Sequence, residues 1–272
     1  MSNFNEKVIR AIVSSEMEGF AIGFQGRHEG EFDDPDGTIN MKIHNVFIEA
    51  LGEEIQYYTA LVRSLDSALG NMIERLAIKI AQQNYDVKNN VEGPLTSNQT
   101  RIIAELLEEY KSRRRRPQVS DYQSLRMYDQ NFEPSENRRH DSDYYLVYKD
   151  DNSHFLIELK IGGDLDNKKA RSEKEAILEQ FAILSNIMPS DTDIRIYFGT
   201  AYNRFGEDKP WKQERVRQFF ADDELLIGRD FWNFMCCSNN GYDIVIDEYR
   251  KNASVIKNAL EHIKGVYLGN SK

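Results

Sequence analysis

The stretch from Asp143 to Thr200 restricts the fold more than any other part of the chain. Asp143-Tyr-Tyr-Leu-Val-Tyr148 is aromatic and β-branched, as strands are. Lys149-Asp-Asp-Asn-Ser153 is a turn, and His154-Phe-Leu-Ile-Glu-Leu-Lys160 reads as a second strand, so the pair predicts a hairpin. Gly162 and Gly163 end it. A helix is then predicted over about 168–188, with Ile177, Leu178, Phe181 and Leu184 on its inner face. A further strand over 193–200 alternates Ile194, Ile196 and Phe198 with polar or small neighbours. Hairpin, helix and strand in that order predict an α/β fold with a mixed β-sheet flanked by helices.

The rest of the chain reads mainly as helix. A short N-terminal helix precedes the turn-rich segment 29–38. A long helical region over roughly 43–86 sets Ile73, Leu76, Ala77 and Ile80 opposite Arg75 and Lys79. Another helix at about 98–115 is capped by Thr96, Ser97 or Asn98 and stopped by Pro117, and a last one covers about 245–264. With no internal repeat, low-complexity tract or Pro/Gly-rich linker, residues 1–272 read as a single domain, with a helical N-terminal region to about 116 and the core from about 117. Hydrophobic residues make up 40%, enough for a packed core. No window approaches a membrane span, and the N-terminus lacks the basic-then-apolar run of a signal peptide, so no membrane partner and a cytoplasmic location are expected. The two cysteines, Cys236 and Cys237, are adjacent, which argues against a disulfide framework or a structural zinc.

Residues two apart on a strand share a face, so Glu158 and Lys160 project together while Ile157 and Leu159 enter the core. An acid from the preceding strand, Asp143 or Asp141, would lie beside them across the hairpin. Such a set suits phosphodiester hydrolysis, because carboxylate-held Mg²⁺ generates a nucleophilic water and neutralises the phosphoryl oxygens. In that reading the carboxylates hold the metal, Mn²⁺ being able to substitute, and Lys160 orients the attacking water. A plain surface ion pair is the common alternative for an Glu-x-Lys sequence. Against it stand the upstream acid at 15 or 17 residues, the otherwise apolar strand, and the basic helix start Asn167-Lys-Lys-Ala-Arg-Ser172, which offers Lys168, Lys169 and Arg171 to DNA.

The formal net charge of −10 argues against a nucleic-acid partner, but the cations are unevenly spread. Arg113, Arg114, Arg115 and Arg116 exceed what a helix end needs and suit phosphate. Asn203, Arg204, Lys212 and Arg215 follow the strand at 193–200 and are further candidates for phosphate or guanine contact. Trp211 and Trp232 suit a core or a dimer contact better than base stacking.

Asp141/Asp143…Glu158-Leu-Lys160 resembles the PD-(D/E)xK nuclease core, with His140 or Ser142 in place of the proline. Ser64–Ala77, the run 162–180, Ala201–Gly206 with its PWKQERV continuation, and IGRDFWNFM at 227–235 resemble type II restriction endonucleases of the MjaII/TdeIII type. The resemblance implies a homodimer that makes Mg²⁺-dependent double-strand cuts in double-stranded DNA at a short palindrome, plausibly GGNCC, beside a companion DNA methyltransferase in the host. It also gives Glu74 a role as an additional carboxylate at the metal site; the alternative is an ion-pair partner on a solvated helix face. The competing functions are a structure-specific repair or recombination nuclease of the same fold and a non-catalytic DNA-binding protein.

Overall fold

The computed structural model describes residues 4–126 and 135–269, without the side chain of Asp143. The chain forms two compact units. One holds Ile80–Tyr242 with the first residues; the other holds Asn5–Lys79 and Asp243–Lys272. The helical grouping therefore ends well before residue 116 and regains the C-terminal helix.

In the helical unit, α1 (Glu6–Gly30) starts at Asn5, whose side chain accepts from the Val8 amide. Its buried stripe Ile9, Val13, Met17, Phe20, Phe24 follows the helical repeat. At 25 residues α1 is far longer than the short helix expected. The turn after it is tied by Asn40, whose Nδ2 donates to the carbonyls of Glu31, Phe32 and Asp34 at 3.0, 2.9 and 2.7 Å. The helical region expected over 43–86 is also divided. A 3₁₀ turn (Asn40–His44) is followed by α2 (Val46–Glu49), capped by Asn45, and α3 (Glu53–Ala81) begins only after Gly52. The C-terminal helix, labelled α8 below, runs Gly241–Leu268. Among the described residues no helix is long and apolar enough to cross a membrane.

The other unit is built on a five-stranded sheet in the order β1-β2-β3-β4-β5. These are β1 (Tyr85–Thr96), β2 (Ser135–Tyr148), β3 (His154–Leu159), β4 (Ile194–Thr200) and β5 (Leu225–Ile227). The first two pairings are antiparallel and the last two parallel, so the sheet is mixed as expected. α4 (Ser97–Lys111) starts from a Thr96/Gln99 capping box, and α5 (Asn167–Ile187) from Asp166, whose carboxylate accepts from the Lys169 amide. Two short helices, α6 (Glu214–Arg217) and α7 (Arg229–Cys236), lead to α8. β1 was not expected: no element was assigned between the helix ending near 86 and the one starting near 98. It is the edge strand, paired only to β2, where a proline lacking its N–H is tolerated.

Both faces of the sheet are covered. Tyr145, Val147, Leu156, Ile196 and Phe198 join Ile177, Leu178, Phe181 and Leu184 of α5 in one apolar core. On the opposite face Tyr144 packs against Phe231, and Phe155 and Tyr197 against Phe234. A strand buried on both sides reads as a nearly continuous apolar run, which is what β3 is. Beneath α5 lies a fully buried ion pair, Lys174 with Glu224, at 2.8 Å to both carboxylate oxygens. Burial pushes the Lys174 ammonium toward its neutral form, and Glu224 opposes this.

Candidate active site

Tyr145 stands opposite Leu156 and Tyr144 opposite Ile157. Alternation from Leu156 therefore sets Glu158 on the face that α5 covers, and Ile157 and Leu159 on the other. The expected division into a core face and a solvent face thus gives way to two buried faces, with the charged pair where one cover ends. The Glu158 side chain is 12% exposed and that of Lys160 32%. Lys160 Nζ donates to Glu158 Oε1 and lies 3.4 Å from Oε1 of Glu173, one and a half turns into α5. One ammonium thus sits between two carboxylates, one from the strand and one from the helix that follows it.

Glu173 was missed by the sequence reading. A signal existed: the Gly162-Gly163 break is short, so the first turns of α5 must start close to the end of β3. Gly163 is required there, whereas at Gly162 the exposed tip of Tyr202 has room to shift. A Cβ on Gly162 would fall 2.6 Å from the Tyr202 hydroxyl, and Gly163 has φ +64° with Thr200 and Trp211 against it.

The loops beyond the parallel strands are tied to one another. Arg204 reaches Asp164 at 2.8 Å, and Gln213 Nε2 donates to the same carboxylate at 3.1 Å. The Arg204 contact holds the Asp164 carboxyl below its usual range. Asn203 spends its amide inside the loop, donating to the Lys209 carbonyl and accepting from the Phe205 amide. Trp211 and Trp232 are both buried, as expected of core residues.

Arg113, Arg115 and Arg116 line one pocket of about 470 Å³ together with Arg217 of α6. Arg113 stands at φ +56°, a left-handed conformation that costs a side-chain-bearing residue about 1–2 kcal/mol. Arg115 is paired to Asp121 at 2.9 Å and Arg217 to Asp222 at 2.8 Å. Arg114 points instead to the Ser112 hydroxyl. Lys168, Lys169, Lys212 and Arg215 are exposed, and Arg171 is half-buried.

The two aspartates differ. Asp141 is paired with Asn90 in the β1–β2 ladder, and its carboxylate is 93% exposed, 4.0 Å from Arg139. Asp143 precedes Tyr144 on β2, and its side chain lies outside the described residues. Glu74 is exposed on α3, in the helical unit. Its neighbours Arg75 and Lys79 both turn to Glu16 of α1. Within α5, Glu179 receives Arg138 at 2.9 Å and lies 2.9 Å from His140 Nε2, contacts that favour its charged form. Gln180 is buried next to it, with an Oε1 that no described residue satisfies.

With that geometry in view, the comparison that decides the matter is a family one. The family model described as the type II restriction endonuclease HinfI matches residues 5–253, nearly the whole chain. The chain belongs to this family of type II restriction endonucleases. The HinfI-type endonuclease is accordingly a site-specific deoxyribonuclease whose substrate is DNA, which sets aside the repair-nuclease and non-catalytic alternatives. No curated protein and no solved structure matches it. Enzymes of this family generally use a divalent metal. Among the described residues no group of three His, Cys, Asp or Glu side chains could hold an ion. The hard oxygens of Glu158 still suit such an ion, because Mg²⁺ keeps several waters and needs only one or two carboxylates.

Proposed function

We propose that this endonuclease makes Mg²⁺-dependent double-strand breaks at a short palindrome, using Glu158 and an aspartate of β2 as metal ligands and Lys160 to govern the attacking water, in the PD-(D/E)xK manner. The observation that carries the reading is the ammonium of Lys160 held between Glu158 and Glu173 where β3 leaves the core. Asp143 is the better aspartate, because Asp141 is nearly fully exposed beside Arg139. When bound, the ion lowers the pKa of a water and neutralises the phosphoryl oxygens.

The residues of the chain do the rest. Glu158 would supply a ligand oxygen to the ion, and it accepts from the Lys160 ammonium. Lys160 donates to the water or to a phosphoryl oxygen and so orients in-line attack. Glu173 restrains Lys160 from the helix side. Arg113, Arg114, Arg115, Arg116, Lys168, Lys169, Arg171, Arg204, Lys212 and Arg215 are the candidate cations for the duplex, and Asn203 shapes the loop that carries Arg204.

A palindromic site calls for two active sites related by a twofold axis, hence a homodimer. The exposed stripe Ile55, Tyr58, Val62 at the start of α3, with Leu51 just before it, supports an apolar contact between copies. A companion methyltransferase in the host would protect the same sequence. The test is digestion of a plasmid with mapped GGNCC sites in Mg²⁺ or Mn²⁺, with Glu158→Ala and Lys160→Ala alongside. Discrete fragments from the wild type alone are expected. Absence of any cutting by the wild type overturns the proposed chemistry, and fragments that map to another palindrome overturn GGNCC only.

A further inference from the structure

The largest cavity of the helical unit, about 1030 Å³, lies between α1, α3 and the segment 36–47. It shares Arg27, Ala68 and Asn71 with a smaller cavity of about 210 Å³ floored by Gly19 and Gly23 of α1. The two form one continuous groove. Its walls carry Arg27, Lys42, Arg63, Arg75 and His44 against the single acid Asp36. In a chain of net charge −10 such a bias is local and has to be explained locally.

Not all of these cations are free. Arg27 is spent on holding the helices, with its guanidinium on the Ser64 hydroxyl and against His28 Nε2. Arg75 faces Glu16 at 3.6 Å. Among the described residues no ion pair holds Arg63 or Lys42. Between them lie Ser64, Ser67 and Asn71, neutral hydrogen-bonding groups that repeat along one side of α3. The groove side of α3 is distinct from its apolar stripe at Ile55, Tyr58 and Val62. At the rim Phe47 is 83% exposed, set among Lys42, His44 and Asn45.

We infer that this groove is a second DNA-contacting surface, in which Arg63 and Lys42 hold phosphates of the duplex backbone. The inference rests on the nuclease reading for the presence of DNA, but not on the residues of the active site. Two unpaired cations flanking a row of hydroxyl and amide groups match a sugar-phosphate backbone, which offers charge and acceptors at regular intervals. An open groove of this size that carries cations beside its apolar lining suits an extended polyanion better than an enclosed small ligand.

The experiment measures binding of the full-length protein to a short fluorescent duplex by anisotropy, with Ca²⁺ in place of Mg²⁺, across a salt series. Each phosphate contact contributes about 0.9 to the slope of log affinity against log salt. Arg63→Ala with Lys42→Ala should lower that slope by roughly two, on cognate and random duplex alike. Arg63→Lys with Lys42→Arg should restore it. Lys257→Ala with Lys264→Ala, which removes the same charge from exposed positions of α8, should leave it unchanged. An unchanged slope in the groove variant, while the wild type cuts and binds DNA, overturns the groove alone. A change of oligomeric size by light scattering with the slope intact assigns the surface to a second copy of the chain and also overturns it. Failure of the wild type to bind any DNA overturns the groove and the nuclease reading together.

Discussion

The two units handle charge and apolar surface in opposite ways. In the sheet unit the decisive ionic groups are buried and each has an assigned partner: Lys174 with Glu224, and Glu179 with Arg138 and His140. In the helical unit the ion pairs reach the surface, as where Arg10 meets Glu6, Asp247 and Glu248, and even the buried Glu16 is paired to the exposed Arg75 and Lys79. The large exposed apolar side chains also concentrate there, among them Ile22, Val46, Phe47 and Leu51. A buried pair is expensive to break because the survivor is left charged in a low dielectric, whereas an exposed pair contributes little. The sheet unit is thus built to hold a few groups in fixed geometry, and the helical unit to present surface.

The largest effect expected from this contrast is on catalysis. Lys160→Ala should lower the cleavage rate by about 10²–10⁴-fold, the range for removing a group that handles the reacting proton, with DNA binding in Ca²⁺ retained. Single-turnover cleavage measures it. Loss of binding together with rate would assign Lys160 to the DNA surface and blur the contrast.

Next comes stability. Lys174→Met leaves Glu224 buried without its counter-charge and should cost about 3–5 kcal/mol. Adding Glu224→Leu should recover much of this, and Arg10→Ala should barely move the melting temperature. Thermal unfolding of the three variants reads the difference directly. Equal shifts for Lys174→Met and Arg10→Ala would erase the distinction drawn between the units.

A smaller effect is expected at the helix-borne carboxylate. Glu173→Gln should reduce cleavage by roughly ten- to a hundredfold, as removal of groups that orient a metal site does. Glu173→Asp should recover part of the rate, because it returns a carboxylate to the side of Lys160. Cleavage by Glu173→Gln at the wild-type rate would make Glu173 a surface partner only.

The smallest effect touches both units. His28 and His154 are buried, one in each, and burial pushes both below the ordinary histidine value of 6.5. The unfolded chain therefore binds protons that the folded chain refuses. Stability from this source is complete above the unfolded pKa and is lost as pH falls from there toward the lowered folded values. Melting temperature followed from about pH 7.5 down to about 5 should decline, and His28→Gln or His154→Gln should flatten the decline.

How much of this was legible in the sequence differs along the chain. The hairpin, α5 and β4 could be read because their side chains alternate between core and surroundings with an unambiguous period. β1 could not, since an edge strand paired on one side tolerates Asn, Gly and Pro that resemble a loop. The break at 45–52 was hidden because Val46, Phe47 and Ile48 continue an apolar helical pattern, although Asn45 was available as a cap. Glu158 and Lys160 were found because charge on an apolar strand is costly without a purpose. Glu173 was passed over because an acid in a charged, amphipathic helix start looks like ordinary surface; only the chain's return over β3 brings it to Lys160. Arg113, Arg115, Arg116 and Arg217 share one pocket only because Gln218, just after α6, donates to the Tyr110 and Lys111 carbonyls at the end of α4.

The pairing of Arg204 with Asp164 has a consequence for what can settle there. Arg115 and Arg217 are likewise matched to Asp121 and Asp222. A phosphate that approaches any of these arginines finds the seat taken, and must trade places with a carboxylate that gains nothing by leaving. Any anion that settles at one of these arginines has to displace a carboxylate first, so each pairing sets a threshold that a single weakly held anion does not pass.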